Sequence, residues 1–149
     1  MSIVIADATR GHVSGIHAIE AECFSDPWSE QSIISQLPDD NHVFLVALDG
    51  ENVVGYVGMM NVLDEGYISN VAVTAAYRRQ KIADHLILEL MERAAALKLS
   101  FVSLEVRESN EPAKALYAKH GFETVGIRKN YYTKPKEHAT LMTVYLKGD

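Results

Sequence analysis

The sequence predicts an α/β fold in which a mixed, mostly antiparallel central sheet of about seven strands is flanked by four helices. The first observation is a run of three β-type segments at residues 43–48, 52–60 and 66–73, with a Gly-containing turn sequence between the first two. The second is that helical and extended patterns alternate after this run. Consecutive strands followed by alternating elements favour a mixed sheet with helices on both faces.

One strand and two helices are predicted before this run. Residues 2–6 are rich in β-formers, and residues 12–24 carry apolar side chains at helical spacing. Residues 25–28 interrupt that pattern. A second, short helix begins at Ser29 and ends before Pro38.

The remaining elements follow the third strand of the run. An amphipathic helix, a strand, a helix that Gly121 ends and two closing strands are predicted at residues 82–97, 101–106, 112–120, 122–127 and 139–146. The resulting order is β-α-α-β-β-β-α-β-α-β-β.

The composition is typical of one globular domain, and we expect residues 1–149 to form it. Lys and Arg number 14 and Asp and Glu 20, so the net charge of −6 disfavours nucleic acid as a direct partner. No secretory leader is recognisable, and the longest apolar run is too short to span a membrane. We therefore expect a cytoplasmic protein without a membrane partner.

The metal-ligating residue types show no pattern of a metal site. The six histidines have no ligand spacing, and Cys23 is the only cysteine. The sequence does not indicate an oligomeric state.

A basic segment, residues 77–83, lies between the third strand of the run and the long helix. The start of a helix offers free backbone N–H groups and a positive dipole end, which suit a phosphate group. Arg78, Arg79 and Lys81 add positive charge. A solvated basic loop that caps the preceding strand would carry the same residues, so the local pattern leaves both interpretations open.

Val71-Ala72-Val73 followed by residues 77–83 resembles the signature of the GNAT superfamily of N-acetyltransferases, an Arg or Gln, two residues, Gly, one residue, then Gly or Ala. The resemblance implies the GNAT fold and acetyl-CoA as co-substrate. It implies that backbone groups of Val71, Ala72 and Val73 bind the pantetheine arm. It further implies a pyrophosphate site formed by Arg79, Gln80, Lys81, Ile82, Ala83 and Asp84.

Lys81 stands where the signature has its first Gly. If that position requires a positive φ, Lys81 is strained or the loop takes another path. If only its N–H is used, Lys costs little and adds a phosphate contact. We expect the second case.

Four further segments resemble the RimI group of GNAT enzymes, the ribosomal-protein-alanine N-acetyltransferases: residues 26–30, 104–110, 115–122 and 128–132, in the family's order. The resemblance implies transfer of an acetyl group to the N-terminal alanine of a small-subunit ribosomal protein. An acidic chain suits such a basic partner. The alternatives are a GNAT enzyme for another amine, such as another N-terminus, a lysine or a polyamine, and a non-catalytic acyl-CoA-binding module.

The same resemblance assigns Glu105 as proton acceptor and Tyr117 as proton donor, and places Asn110 against the cofactor. From the residues alone, Glu105 could equally be a surface residue of its strand or a partner of Arg107. Tyr117 could simply pack on its helix, and Asn110 is expected at or near a helix N-cap. The backbone N–H of Val71 is the family's choice for the oxyanion.

Asn130, Tyr131 and Tyr132 are predicted at a turn between the last two strands. Loops with aromatic and amide side chains suit peptide recognition, so we expect substrate contact, with a hydrophobic lid over the sheet edge as the alternative. Trp28 could line the groove in which the substrate binds, or it could anchor the loop that contains it.

Overall fold

A computed structural model of the chain describes residues 2–146. Two single-turn 3₁₀ helices, Arg10–His12 and Ala75–Tyr77, precede longer elements. The strands and helices are β1 (Ile3–Asp7), α1 (Val13–Cys23), α2 (Glu30–Ile34), β2 (His42–Asp49), β3 (Asn52–Val62), β4 (Glu65–Val73), α3 (Ile82–Ala96), β5 (Phe101–Arg107), α4 (Glu111–Lys119), β6 (Glu123–Thr133) and β7 (Lys136–Tyr145). Within residues 2–146, no helix combines the length and the apolar character needed to cross a bilayer.

The seven strands form one sheet in the order β1-β2-β3-β4-β5-β7-β6. Every neighbouring pair is antiparallel except β4 and β5, which the intervening helix α3 makes parallel. The predicted order of elements and the mixed, mostly antiparallel sheet are therefore confirmed.

Helices cover both faces of the sheet, as the side chains of β2 show. Leu45 faces one cluster, which contains Leu86 and Leu90 of α3, whereas Phe44 and Val46 face another cluster around Ile16 of α1. Successive strand residues point to opposite faces, so a strand covered on both sides reads as a continuous apolar run.

Strand β4 contains a bulge that opens the sheet. In the β3–β4 pairing Gly58 lies opposite Asn70 and Met59 opposite Ile68, so Ser69 is an extra residue on β4. A bulge bends its strand and ends regular pairing. Consistently, β4 pairs with β5 only over Glu65–Tyr67. Beyond that point the two strands separate and leave a gap between them.

The alternation of buried and partly exposed residues in β5 decides which of its side chains lie on the face opposite α3. Val102, Leu104 and Val106 are buried in the cluster under α3 and α4. Glu105 and Arg107 alternate with them and therefore lie on the other face.

The β6–β7 hairpin is longer than the sequence predicts. Strand β6 continues to Thr133 and β7 begins at Lys136, so the predicted turn at residues 130–132 is wrong and lies within β6. The pairing shifts between Arg128 and Tyr132, and Asn130 has a φ of 54°. Because most of β6 is exposed, no alternation of apolar and polar residues marks its continuation beyond the predicted residues 122–127.

Lys81 is the N-cap of α3 and adopts the left-handed conformation, with φ 63° and ψ 23°. The expectation that only its N–H matters is therefore wrong: the loop does require a positive φ here. Arg79 has a φ of 65° as well. A residue with a Cβ in this region costs about 1–2 kcal/mol, which glycine avoids.

We predict that Lys81→Gly is about 1 kcal/mol more stable to unfolding than Lys81→Ala. Both substitutions remove the charge, but only glycine removes the Cβ that the left-handed backbone disfavours. Urea unfolding of both variants gives the comparison. A Gly variant no more stable than the Ala variant would show that the loop is not strained.

Candidate active site

The N-terminus of α3 presents unsatisfied backbone donors. The first intrahelical bond runs from the N–H of His85 to the carbonyl of Lys81 at 3.1 Å, so the three preceding N–H groups have no helical acceptor. These groups border a cavity of about 230 Å³. Its lining residues are Val73, Tyr77, Arg78, Arg79, Lys81, Ile82, Ala83 and Asp84. The predicted pyrophosphate residues are thus brought together, except that Gln80 is exposed outside this lining.

Asp84 places a carboxylate in this otherwise basic site, and helix α4 neutralises it. Its Oδ1 accepts from Nε2 of His120 at 2.8 Å and lies 3.1 Å from Nζ of Lys119. Partial burial opposes ionisation, but these two contacts outweigh it and lower the pKa of Asp84. Asp84 can therefore offer its backbone N–H to an anion while its side-chain charge is directed at α4.

The backbone carbonyl of Val73, at the end of β4, already accepts a hydrogen bond from within the chain. Nε of Arg78 donates to the carbonyl of Val73 at 3.1 Å, and Nη2 of Arg78 donates to Sγ of Cys23 at 3.3 Å. Burial raises the pKa of the Cys23 thiol, which indicates a protonated, weakly reactive group. Val71 and Ala72 pair with β3 only, since β5 has separated from β4 here.

Glu105 lies on the face of β5 opposite α3, two residues beyond the last one that pairs with β4. Its Oε2 is 3.3 Å from Nε of Arg128 on β6. Arg107 instead pairs with Glu137 at 3.2 Å, so an ion pair between Glu105 and Arg107 is not formed. The Glu105 side chain is 29% exposed.

Tyr117 of α4 is 6% exposed and packs against Phe122, with 5.8 Å between ring centroids. Burial, and to a lesser degree the nearby Tyr132, raises the pKa of the Tyr117 phenol. This side chain is therefore a neutral hydrogen-bond donor at pH 7. Asn110 is the N-cap of the same helix: its side chain accepts from the N–H of Ala113 at 3.2 Å.

The aromatic pair on β6 is held by arginines. The guanidinium carbon of Arg107 lies 4.2 Å from the ring centroid of Tyr132, and that of Arg128 lies 5.7 Å from the ring centroid of Tyr131. Burial raises the pKa of Tyr132 to about 12. The hairpin that carries the predicted acceptor residues is thus attached to the strand of Glu105 and, through Arg128, to Glu105 itself.

Trp28 lies in the loop between α1 and α2, and this loop reaches the same hairpin. The hydroxyl of Ser25 donates to the carbonyl of Lys134 in the β6–β7 turn. The N–H of Trp28 donates to the buried carboxylate of Glu20 at 2.7 Å. Sequence reasoning missed Glu20, although its position four residues after Ile16 indicates the apolar face of α1.

Comparison with known proteins gives the family. Residues 13–122 match the Acetyltransferase (GNAT) family. A putative [ribosomal protein bS18]-alanine N-acetyltransferase of Bacillus subtilis is 37% identical over 134 residues, which cover 89% of this chain and 88% of that protein. The ribosomal-protein-S18-alanine N-acetyltransferase from Escherichia coli has a TM-score of 0.89 at 28% identity, covering 99% of this chain and 97% of that one.

A more distant structure, Arabidopsis thaliana NAA60 in complex with acetyl-CoA, shares the fold, with a TM-score of 0.90 at 19% identity and coverage of 97% and 100%. The matched segment begins at the start of α1 and ends just after α4, so it includes the basic loop, Glu105 and Tyr117. With most of its length matched and the same fold, the chain belongs to the GNAT family of acetyltransferases.

Proposed function

We propose that this acetyltransferase transfers the acetyl group of acetyl-CoA to the N-terminal α-amine of a protein, and that the acceptor is the N-terminal alanine of a small-subunit ribosomal protein. The observation that carries the proposal is the accessible carboxylate of Glu105, which lies on β5 just beyond the point where β5 separates from β4. The buried neutral phenol of Tyr117 on α4 is the second group that the proposal uses. The names of the relatives from Bacillus subtilis and Escherichia coli support the choice of acceptor.

The acceptor amine has to be neutral before it can attack a thioester. An α-amino group has a pKa near ~7.8, so roughly 10–15% is neutral at pH 7, whereas a lysine near ~10.4 is neutral far less than about 1% of the time. A single carboxylate, acting directly or through a water molecule, is sufficient for the α-amine. Glu105 takes this role, with Arg128 orienting its carboxylate.

The attack generates an oxyanion and then a thiolate. A backbone N–H on the free edge of β4 stabilises the oxyanion, and Val71 lies beyond the point where β4 and β5 part. Tyr117 donates a hydrogen bond to the departing thiolate, since its phenol is neutral at pH 7.

Acetyl-CoA would be held along the same gap. Its pyrophosphate meets the free N–H groups at the start of α3 and the cations of Arg79 and Lys81. The pantetheine arm pairs with the backbone of β4 at Val71 to Val73, where it competes with Arg78 for the Val73 carbonyl. The amide NH₂ of Asn110 is not used by its cap bond and is available to the cofactor.

The acceptor would bind on the opposite side, between the Trp28 loop and the β6–β7 hairpin. Asn130, Tyr131 and Tyr132 offer amide and aromatic surface there, and Tyr131 is 47% exposed. The net charge of −6 suits a basic polypeptide. A single domain and a cytoplasmic location without nucleic-acid or membrane partners remain predictions.

Mass spectrometry of two peptides incubated with the protein and acetyl-CoA tests the acceptor. One peptide is basic and begins Ala-Arg, and the other has the same sequence with a blocked N-terminus and a free lysine. One added acetyl group on the first peptide only is expected. Acetylation of the second would indicate a lysine or broad-specificity enzyme, and no product despite bound acetyl-CoA would indicate a binding module.

We predict that Glu105→Gln lowers kcat/KM for the Ala-Arg peptide by about 10²-fold or more at pH 7, because the proton acceptor is lost. The difference in kcat/KM between Glu105→Gln and the unmodified protein should be smaller at pH 9, where most of the amine is already neutral. Glu123→Gln, the same change at an exposed position of β6, is the matched control. Rate profiles of equal height and shape for Glu105→Gln and the unmodified protein would remove Glu105 from this role.

We predict that Tyr117→Phe lowers kcat by about 10-fold to 10²-fold and leaves the Kd of acetyl-CoA unchanged. Because burial raises the pKa of Tyr117 above its usual value near ~10, the phenol stays protonated, and kcat of the unmodified protein should not fall between about pH 8 and 10. Tyr145→Phe, at an exposed tyrosine of β7, is the control. Loss of acetyl-CoA binding in Tyr117→Phe would instead assign Tyr117 to packing.

A further inference from the structure

We propose that Glu20 and His17, two side chains of α1, position Trp28 for binding of the acceptor peptide. The inference rests on the proposed function, because it concerns the acceptor side of that site. Both residues contact the backbone of Trp28. Oε1 of Glu20 accepts from the Trp28 N–H at 2.7 Å, and Nδ1 of His17 donates to the Trp28 carbonyl at 3.0 Å.

The burial of Glu20 needs an explanation. Its side chain is 0% exposed, and its hydrogen-bond partners are neutral donors: the Trp28 N–H, the hydroxyl of Tyr56, and Nδ2 of Asn70 at 2.9 Å. Burying a carboxylate is costly, and an apolar side chain of the same volume would fill the space at no such cost. The group is therefore better explained by what it holds in place than by packing.

Glu20 connects the acceptor side to the strand that carries the proposed oxyanion donor. Asn70 directly precedes Val71 on β4. The ring of Tyr56 lies 6.3 Å from the ring of Trp28. A single carboxylate thus joins α1, β3, β4 and the Trp28 loop.

The Trp28 residue has little freedom to move, because its N–H and its carbonyl are both bound by α1. The hydroxyl of Ser25 holds the same loop against the carbonyl of Lys134 in the β6–β7 turn. A binding surface that is ordered before the peptide arrives lowers the entropy cost of binding that peptide. Glu20 and His17 should therefore affect the KM of the acceptor far more than kcat or the affinity for acetyl-CoA.

Three variants separate this role from simple packing. Glu20→Leu keeps the volume but removes every acceptor atom. Glu20→Gln keeps one oxygen for the Trp28 N–H, which cannot invert, while the hydroxyl of Tyr56 and the amide of Asn70 can reverse their donor and acceptor roles. His17→Ala releases the Trp28 carbonyl, and His17 is only partly buried, so this variant is expected to fold.

The KM of the Ala-Arg peptide should rise about tenfold or more in Glu20→Leu and about threefold in His17→Ala, and stay within about twofold in Glu20→Gln. The kcat and the Kd of acetyl-CoA should stay within about twofold in all three. Trp28 is the only tryptophan, so its fluorescence reports the loop directly. Tryptophan emission should shift to the red in Glu20→Leu and His17→Ala. It should not shift in Glu92→Gln, a control at an exposed position of α3.

If Glu20→Leu does not fold, a double-mutant cycle of His17 and Trp28 tests whether α1 acts through Trp28. His17→Ala should raise the acceptor KM in the unmodified protein and have no further effect in a Trp28→Ala background, because it acts through Trp28. An additive effect, or an unchanged acceptor KM in a folded Glu20→Leu variant, would overturn the inference. Failure of the unmodified protein to acetylate any peptide would instead overturn the proposed function.

Discussion

The separation of β4 from β5 is the constraint on which the site depends. The extra residue Ser69 bends β4, so the two strands share only the pairing of Glu65–Tyr67 with β5. Beyond this point each strand has a backbone edge without a partner strand, which a ligand can use without breaking the sheet. The helix that follows β4 begins at one end of the gap and α4 begins beyond the end of β5. The donors at the start of α3 lie at one end of this gap, and Glu105 lies on β5 just past the point where the two strands separate.

The charged groups around this gap are unevenly distributed. The cations of Arg78, Arg79 and Lys81 lie at the start of α3, where they add to the helix dipole, and Asp84 is neutralised by α4. Glu105 on β5 is paired with Arg128, and Tyr117 on α4 is buried and neutral. The strongest concentration of positive charge is thus at the start of α3.

Much of this could be predicted from the sequence. The spacing of apolar residues in α1 and α3 predicts amphipathic helices, and the alternation in β5 predicts that Glu105 faces away from the core. The start of β6 was predicted, but its continuation beyond residue 127 could not be found in this way, because a strand in contact with solvent on both faces carries no alternating pattern. The conformation of Lys81 differs from the expectation, since a lysine side chain itself gives no sign of the positive φ that the surrounding loop imposes.

The sequence by itself determined the order of the elements, the family and the residues that match its motifs, because these depend on local periodicity and on short segments. Only the tertiary structure decided which charged groups meet. Glu20 and Asn70 are 50 positions apart in the chain, and Arg128 rather than Arg107 is the partner of Glu105. Such contacts depend on strand register and on the bulge in β4, which many weak interactions fix together. For that reason the positioning of Trp28 by α1 becomes visible only once the chain is folded.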